Sequence, residues 1–244
     1  MKMRVLVLTF SITILITFPE FGLAQMITFE KTYGGVAQQM GKSVQQTTDG
    51  GYIVVGWSNN NQSLVHNIYA IKTDENGDTV WTRTYGGEDY EEGTSVQQTY
   101  DGGYIIVGFT QSFSITPIPD VYLIKTNTDG DTLWTKTIGG IQDDRGFSVQ
   151  QTLDSGYVIA GETWRSFVGP RLAYLIKTDK NGDTLWTKTY EGKGEATAYS
   201  VQQTIDTGFI LVGMTLYRFN TTDRIHVFLV KTNSIGDTVW TKSF

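Results

Sequence analysis

The sequence predicts an all-β fold, a β-propeller-type array of four four-stranded antiparallel blades, and three observations carry that expectation. Ser-Val-Gln-Gln-Thr starts at Ser43, Ser95, Ser148 and Ser200, at spacings of 52, 53 and 52 residues, a period that marks blades or a solenoid. After each copy come an Asp-x-Gly turn, two apolar runs, a Gly-Asp turn and a Trp-Thr-Lys/Arg segment. The composition, 13% aromatic with 27 Gly against 4 Pro, suits short strands joined by tight turns better than a helical bundle.

The chain opens differently. Lys2 and Arg4 precede an apolar run from Val5 to Phe18, then Pro19-Glu20 and the small residues Gly22 and Ala24. This is the layout of a signal peptide over residues 1–24, cleaved after Ala24. The run is shorter than the roughly 20 residues of a spanning helix, so no membrane span is expected after cleavage. The expected location is periplasmic, cell-surface or extracellular. Removing Lys2, Arg4 and Glu20 leaves 17 basic and 24 acidic residues, a charge near −7, which disfavours nucleic acid and anionic membranes as partners. With no cysteine, disulfides, thiolate nucleophiles, Cys-ligated zinc and lipoprotein anchoring are excluded.

Residues 25–244 form the repeat domain, in units of about 28–80, 81–133, 134–185 and 186–239, with a partial strand at 240–244. Each unit holds four strands, called A (around Val44), B (Val54), C (Tyr69) and D (Trp81). The B and C runs, such as Tyr52-Ile53-Val54-Val55-Gly56 and Val121-Tyr122-Leu123-Ile124-Lys125, are apolar at consecutive positions, as strands buried on both faces are. A and D alternate apolar with polar. Asp49-Gly50-Gly51 and Asn76-Gly77 carry residues that tolerate positive φ, as hairpin turns require.

Trp81, Trp134, Trp186 and Trp240 recur at one place in strand D, and Phe29 takes that place in an extra copy, Phe29-Glu30-Lys31-Thr32-Tyr33-Gly34-Gly35. A stripe of this kind is expected to be buried inter-blade packing. The glutamine pairs Gln45-Gln46, Gln97-Gln98, Gln150-Gln151 and Gln202-Gln203 are expected to satisfy hydrogen bonds of each unit, since a group needed in every unit is not a single active site.

With these residues in place, the chain resembles β-propeller repeats of the quinoprotein-like (PQQ-type) superfamily. Those repeats couple a Tyr-Ala-Leu-Asp type of strand C to a Gly turn and a Leu-Trp strand D; here Tyr122-Leu123-Ile124-Lys125 runs through Gly130-Asp131-Thr132-Leu133-Trp134. It is also similar to repeat regions of large secreted bacterial proteins that end in a sorting domain. The resemblance covers about residues 28–244. It implies the propeller fold and little about activity, because the superfamily includes dehydrogenases, assembly factors and lectins.

No residue set supports catalysis. The Asp74-Glu75-Asn76-Gly77-Asp78 turn spaces oxygen ligands as calcium loops do, yet its Gly is fourth and no bidentate Glu follows. Local backbone amides are the simpler partners of its Asp residues. His66 and His226 fall in different units. No metal, no cofactor and no catalytic residue is expected.

A four-stranded unit puts the A–B and C–D turns on one face and the B–C and D–A loops on the other. The second face varies: Trp57 to Asn67, Phe109 to Asp120, Glu162 to Leu172 and Met214 to His226, beside the acidic segments Glu88–Glu92 and Asp143-Asp144-Arg145. Loops on a rigid scaffold tend to carry binding, and aromatic and Arg residues dominate contact hot spots. The candidate binding residues are therefore Trp57, Phe113, Trp164, Arg165, Phe167, Arg171, Tyr217, Arg218 and Phe219. The expected function is a secreted, non-enzymatic binding or scaffold module that contacts a protein or glycan. The alternatives are the scaffold of a periplasmic or surface hydrolase or oxidoreductase, and a purely structural repeat segment of a larger surface protein. One D strand followed by four A-B-C-D sets predicts an open arc of a larger ring, with ends that promote self-association.

Overall fold

The computed structural model describes residues 29–59, 65–166, 169–219 and 222–244; the expected export segment, residues 1–24, lies outside them. Four four-stranded antiparallel sheets follow chain order. Blade I holds β1 (Gln39–Gln46), β2 (Tyr52–Asn59), β3 (His66–Thr73) and β4 (Thr79–Tyr85). Blade II holds β5 (Glu91–Gln98), β6 (Tyr104–Thr110), β7 (Asp120–Thr126) and β8 (Thr132–Ile138). Blade III holds β9 (Asp144–Gln151), β10 (Tyr157–Trp164), β11 (Arg171–Thr178) and β12 (Thr184–Tyr190). Blade IV holds β13 (Glu195–Gln203), β14 (Phe209–Phe219), β15 (Thr222–Thr232) and β16 (Thr238–Ser243).

This is the propeller-type array expected, with a shift of phase. Each sheet opens on strand A and closes on strand D, so the unit boundaries after residues 80, 133, 185 and 239 fall inside β4, β8, β12 and β16. Strand D belongs to the strand C that precedes it, because the Gly turn makes them a hairpin. The extra copy is not a strand: residues 29–33 have no strand assignment, and Phe29 lies against Gly77 in the C–D turn of blade I.

The core lies between blades. Ile53, Val55, Ile68 and Ala70 of blade I meet Val96 and Ile106 of blade II, and the same strata recur between blades II and III and between III and IV. Strands β6 and β7 are buried at almost every residue, whereas β4, β8 and β12 alternate.

The tryptophans do join blades. Trp81, Trp134 and Trp186 make edge-on contacts of 5.8, 5.9 and 6.0 Å with Tyr104, Tyr157 and Phe209 of the next blade. Each lies over a turn glycine, where an added Cβ at Gly130, Gly182 or Gly236 would come within 2.9, 2.6 and 2.7 Å of the indole; φ there is +78° to +81°. The expectation of full burial is corrected. These rings are half-buried, because strand D is the outermost strand and presents one face to solvent.

The glutamines make structural hydrogen bonds, as expected, but between units as well as within them: Gln45, Gln97 and Gln150 accept the main-chain N–H of Gln98, Gln151 and Gln203, respectively, at 2.6 Å, and the Gln46 and Gln98 amides donate to the Gly50 and Gly102 carbonyls of their own turns at 3.2 Å. The turn aspartates have a partner that sequence reasoning left without a role. Buried Lys72, Lys125 and Lys177, and the less buried Lys231, donate to Asp49, Asp101, Asp154 and Asp206 at 2.8 to 2.9 Å and to the next main-chain carbonyl at 2.7 to 2.9 Å. The Lys72 ammonium is the main reason the Asp49 carboxyl falls to about 2. For Asp101 and Asp154, burial pushes the other way and is outweighed by Thr and Lys donors.

Candidate functional site

The turn face is closed chemistry. Asp74 accepts the N–H groups of Asn76 and Asp78 at 2.9 and 2.7 Å, the role expected of it. Asp78, Asp131, Asp183 and Asp237 pair with Lys31, Arg83, Lys136 and Lys188 of the preceding segment. The turn face also carries an inter-blade cleft of about 350 Å³, lined in part by Asp49, Lys72, Trp81 and Asp129, two of whose polar groups, Asp49 and Lys72, are already paired with each other.

On the loop face the strands run further than the sequence suggests. Trp57, Trp164, Arg171 and Tyr217 are strand residues, and the expected loop from Met214 to His226 is largely a hairpin, with Tyr217 opposite Arg224 and Arg218 opposite Asp223. The ladder continues because the sequence there remains strand-compatible and free of Gly and Pro.

Most candidate residues are occupied by the fold itself. Trp57 stacks on His66 at 4.6 Å, and His66 meets the edge of Tyr90 in blade II at 4.9 Å. The His66 Nδ1 lies 3.0 Å from the Glu91 carbonyl, which can only accept, so Nδ1 carries the proton. Phe113 tilts onto Tyr122 at 5.3 Å. Arg165 pairs with Glu191, and Arg171 bridges blade III to Glu195 of blade IV at 2.9 Å, with Glu162 at 3.5 Å. Trp164 ends β10, its N–H donated to the Asp143 carbonyl at 3.0 Å. Phe167 lies outside the described residues, as do the side chains of Arg218 and Phe219. The acidic segments are also absorbed: Glu92 pairs with Lys42 and Asp143 with Arg145.

Beneath the loops runs a layer of buried carboxylates. Glu91 accepts the Thr110 hydroxyl at 2.6 Å and the N–H groups of Gly87 and Ser112 at 2.9 and 3.2 Å. Asp144 holds the same register against Thr163 in blade III. Burial pushes the Asp144 carboxyl up to about 6, against the pull of Thr163, with Asp120 adding its charge. Burial raises Asp120 as well, and its carboxylate accepts the Gly140 N–H at 3.1 Å.

Blade IV breaks the series. The residue in register with Glu91 and Asp144 is Ala196, opposite Thr215. Thr215 is 1% exposed, and its hydroxyl oxygen is buried without a hydrogen-bond partner among the described residues. It lines a cleft of about 510 Å³ with Lys193, Tyr217, Arg224, His226, Ser243 and Phe244. A recess of about 290 Å³ adjoins it, sharing Lys193 and Tyr217 and adding Gly169, Pro170, Gly194, Glu195 and Leu216. The His226 Nδ1 donates to the main-chain oxygen of Phe244 at 3.0 Å. The described lining of the larger cleft includes two cations, Lys193 and Arg224, and one histidine.

Of the candidates whose side chains are described, Tyr217 alone lines this cleft. Lys193, Thr215, Arg224 and His226 line the cleft and were not among the candidates, although Ala196 in place of the acid is visible when the four repeats are aligned. Among the described residues no three His, Asp or Glu side chains gather to hold a metal.

No protein-family model matches the chain, and no curated protein matches it. Among solved structures it is similar to an endo-arabinase from Bacteroides thetaiotaomicron VPI-5482, at 12% identity and a TM-score of 0.49, over 85% of this chain and 81% of that one. A likeness of that size carries no inference about activity.

Proposed function

We propose that the chain is an exported, non-enzymatic binding module that captures a carboxylate-bearing ligand, from protein or glycan, in the blade IV cleft of its loop face. The observation that carries this reading is the unpartnered Thr215 hydroxyl at the one described register position where the fold supplies no polar side chain of its own. Glu91 meets the equivalent Thr110, and blade I carries Gln39 there. A buried hydroxyl left without a partner costs about 1 to 3 kcal/mol, and an incoming carboxylate would remove that cost. Lys193 and Arg224 supply charge-assisted donors, and the half-exposed Tyr217 supplies contact area with little rotamer freedom to lose.

The carboxylates of the fold support binding rather than turnover. Asp120 and Asp144 are 2% and 5% exposed, and Gly140 and Thr163 engage them from within. A hydrolase panel that found turnover lost in Asp144→Asn would reinstate the enzymatic alternative.

The test uses immobilised polygalacturonate, its methyl-esterified form and poly-glutamate as probes. Retention on a free-carboxylate polymer, absence on the ester and weakening with salt are expected, and the two acidic probes separate glycan from protein. Equal retention on the ester, or full retention by Arg224→Glu, would sink the reading. Export is checked separately: secretion from a Gram-negative host should yield a chain starting at Gln25 by N-terminal mass analysis.

A further inference from the structure

Among the described residues, blades I and IV each carry one uncovered half of an interface that the chain makes three times internally. Within the array, Val96, Val149 and Val201 are 6 to 7% exposed, whereas Val44, at the same place in blade I, is 65% exposed. On the opposite face, Val55 and Val107 of strand B and Ile68 and Val121 of strand C are fully buried, whereas Val212 and Val227 of blade IV are 39% and 50% exposed.

The internal interfaces match small against large. Val55 and Ile68 enter over Gly93, where an added Cβ would lie 2.8 and 2.9 Å from them; Val107 and Val121 enter over Gly146, at 2.6 and 3.2 Å. In the third interface Ala198 replaces the glycine, and the two entering residues shrink to Ala160 and Ala173. Bulk is complementary across the contact, a larger socket residue facing smaller entering ones, as a close-packed interface requires. Gly41 in blade I fits no such neighbour, for its only atom within 4 Å is the Val54 methyl of its own blade, at 3.6 Å. It sits instead in a recess of about 140 Å³ lined in part by Met40, Val54, Tyr69 and Ile71. A glycine socket calls for large entering residues, and the uncovered pair on blade IV is Val212 and Val227.

The rim repeats the match. Trp81, Trp134 and Trp186 cover the turn glycine of the next blade, and Arg83, Lys136 and Lys188 pair with the next Asp. Trp240 and Lys242 are the same pair on blade IV, where Lys242 lies over its own Trp240 ring at 5.6 Å. The corresponding turn, Gly77-Asp78, is held by Phe29 and Lys31 of the N-terminal arm.

We infer that blade IV docks head to tail on blade I of a second copy of this chain, Val212 and Val227 entering over Gly41. In the docked state Trp240 and Lys242 take the Gly77-Asp78 turn, and the arm, which stands in for a strand D in the single copy, gives way. The contact joins two different surfaces, so it is heterologous and each copy keeps one end free until a ring closes.

The experiment is sedimentation over a concentration series on the secreted chain and two variants. Gly41→Val fills the socket in open space without a positive φ, and Val227→Asp puts a charge at an exposed position, so both should melt as the parent does. Each should weaken association on the order of 100-fold, as loss of a central contact does. Mixed, they should form a complex that stops at one copy of each, because Gly41→Val keeps its blade IV face and Val227→Asp keeps its blade I face. A parent chain that stays monomeric throughout would overturn the inference, as would a Gly41→Val that associates normally or a mixture that forms no complex.

Discussion

The turn face and the loop face of the array are built from the same four repeats, yet they handle buried polar groups in opposite ways. On the turn face each repeat brings both members of its buried-lysine pair: Lys72 with Asp49, Lys125 with Asp101, Lys177 with Asp154, Lys231 with Asp206. On the loop face the pairing is complete with Glu91 and Thr110, continues with Asp144 and Thr163, and fails with Ala196 and Thr215. Repetition therefore marks groups whose partners are inside the fold. The break in repetition at Ala196 leaves the buried Thr215 hydroxyl without a partner among the described residues, and that is the position the proposed binding reading rests on.

The largest effect that can break this comparison is on the turn face. Asp101→Ala leaves the Lys125 ammonium, 4% exposed, with only the Thr126 carbonyl. Unfolding in urea should show a loss of about 2 to 3 kcal/mol, below the range for a fully buried pair because the carboxylate itself is exposed. A loss under about 0.5 kcal/mol would mean that the pairs are ornaments of the surface.

Next comes the contrast between inner and end blades. Trp134→Ala should cost about 2 kcal/mol, less than for a fully buried ring because one face is wet, while Trp240→Ala in the monomeric chain should cost under about 0.5 kcal/mol. Equal losses by calorimetry would show that the end of the array is packed like its middle.

A smaller effect separates the faces by pH. Asp49, near 2 in the fold against an ordinary 3.8, contributes stability that is full above pH 4 and is lost as pH falls toward 2. Asp144 runs the other way, since its folded value of about 6 means that it opposes folding above pH 6 and ceases to do so as pH falls toward 4. Asp144→Asn should accordingly stabilise by about 1 kcal/mol at pH 8 and by nothing measurable at pH 4. A benefit that is the same at both pH values would place Asp144 in water.

The smallest effect on stability belongs to the cleft. Tyr217→Ala should leave unfolding within about 0.5 kcal/mol of the parent, as should Thr215→Val, which removes an unpaired hydroxyl at nearly constant shape. Both should weaken capture of the acidic polymer, and Trp164→Ala should not. A Trp164 requirement with a dispensable Tyr217 would move the site to blade III.

Much of this was legible in the chain. The Ser-Val-Gln-Gln-Thr period located strand A four times, and the alternation of strand D against the continuous apolar runs of B and C anticipated which strands are sandwiched. The inter-blade role of the Trp stripe could be read as well. The degree of its burial could not, because that depends on D being the outer strand. The proposed cleft was legible only in part, since aromatic and Arg residues were selected by type, and Trp57, Phe113, Arg165 and Arg171 contact His66, Tyr122, Glu191 and Glu195. Those partners come from other strands or from the neighbouring blade, and residue type alone does not say which side chains are already engaged.

What the sequence determined by itself was the unit: four strands, their order and their turns, because hairpins are local and each is specified by its Gly, Asn and Asp residues and its apolar period. Tertiary structure alone decided where one blade ends, which polar groups find partners and which faces remain uncovered. Gly41 and Gly93 occupy the same position of the same motif. One is open and the other filled, because burial is a property of the neighbour, and the neighbour of blade I is not part of its own repeat.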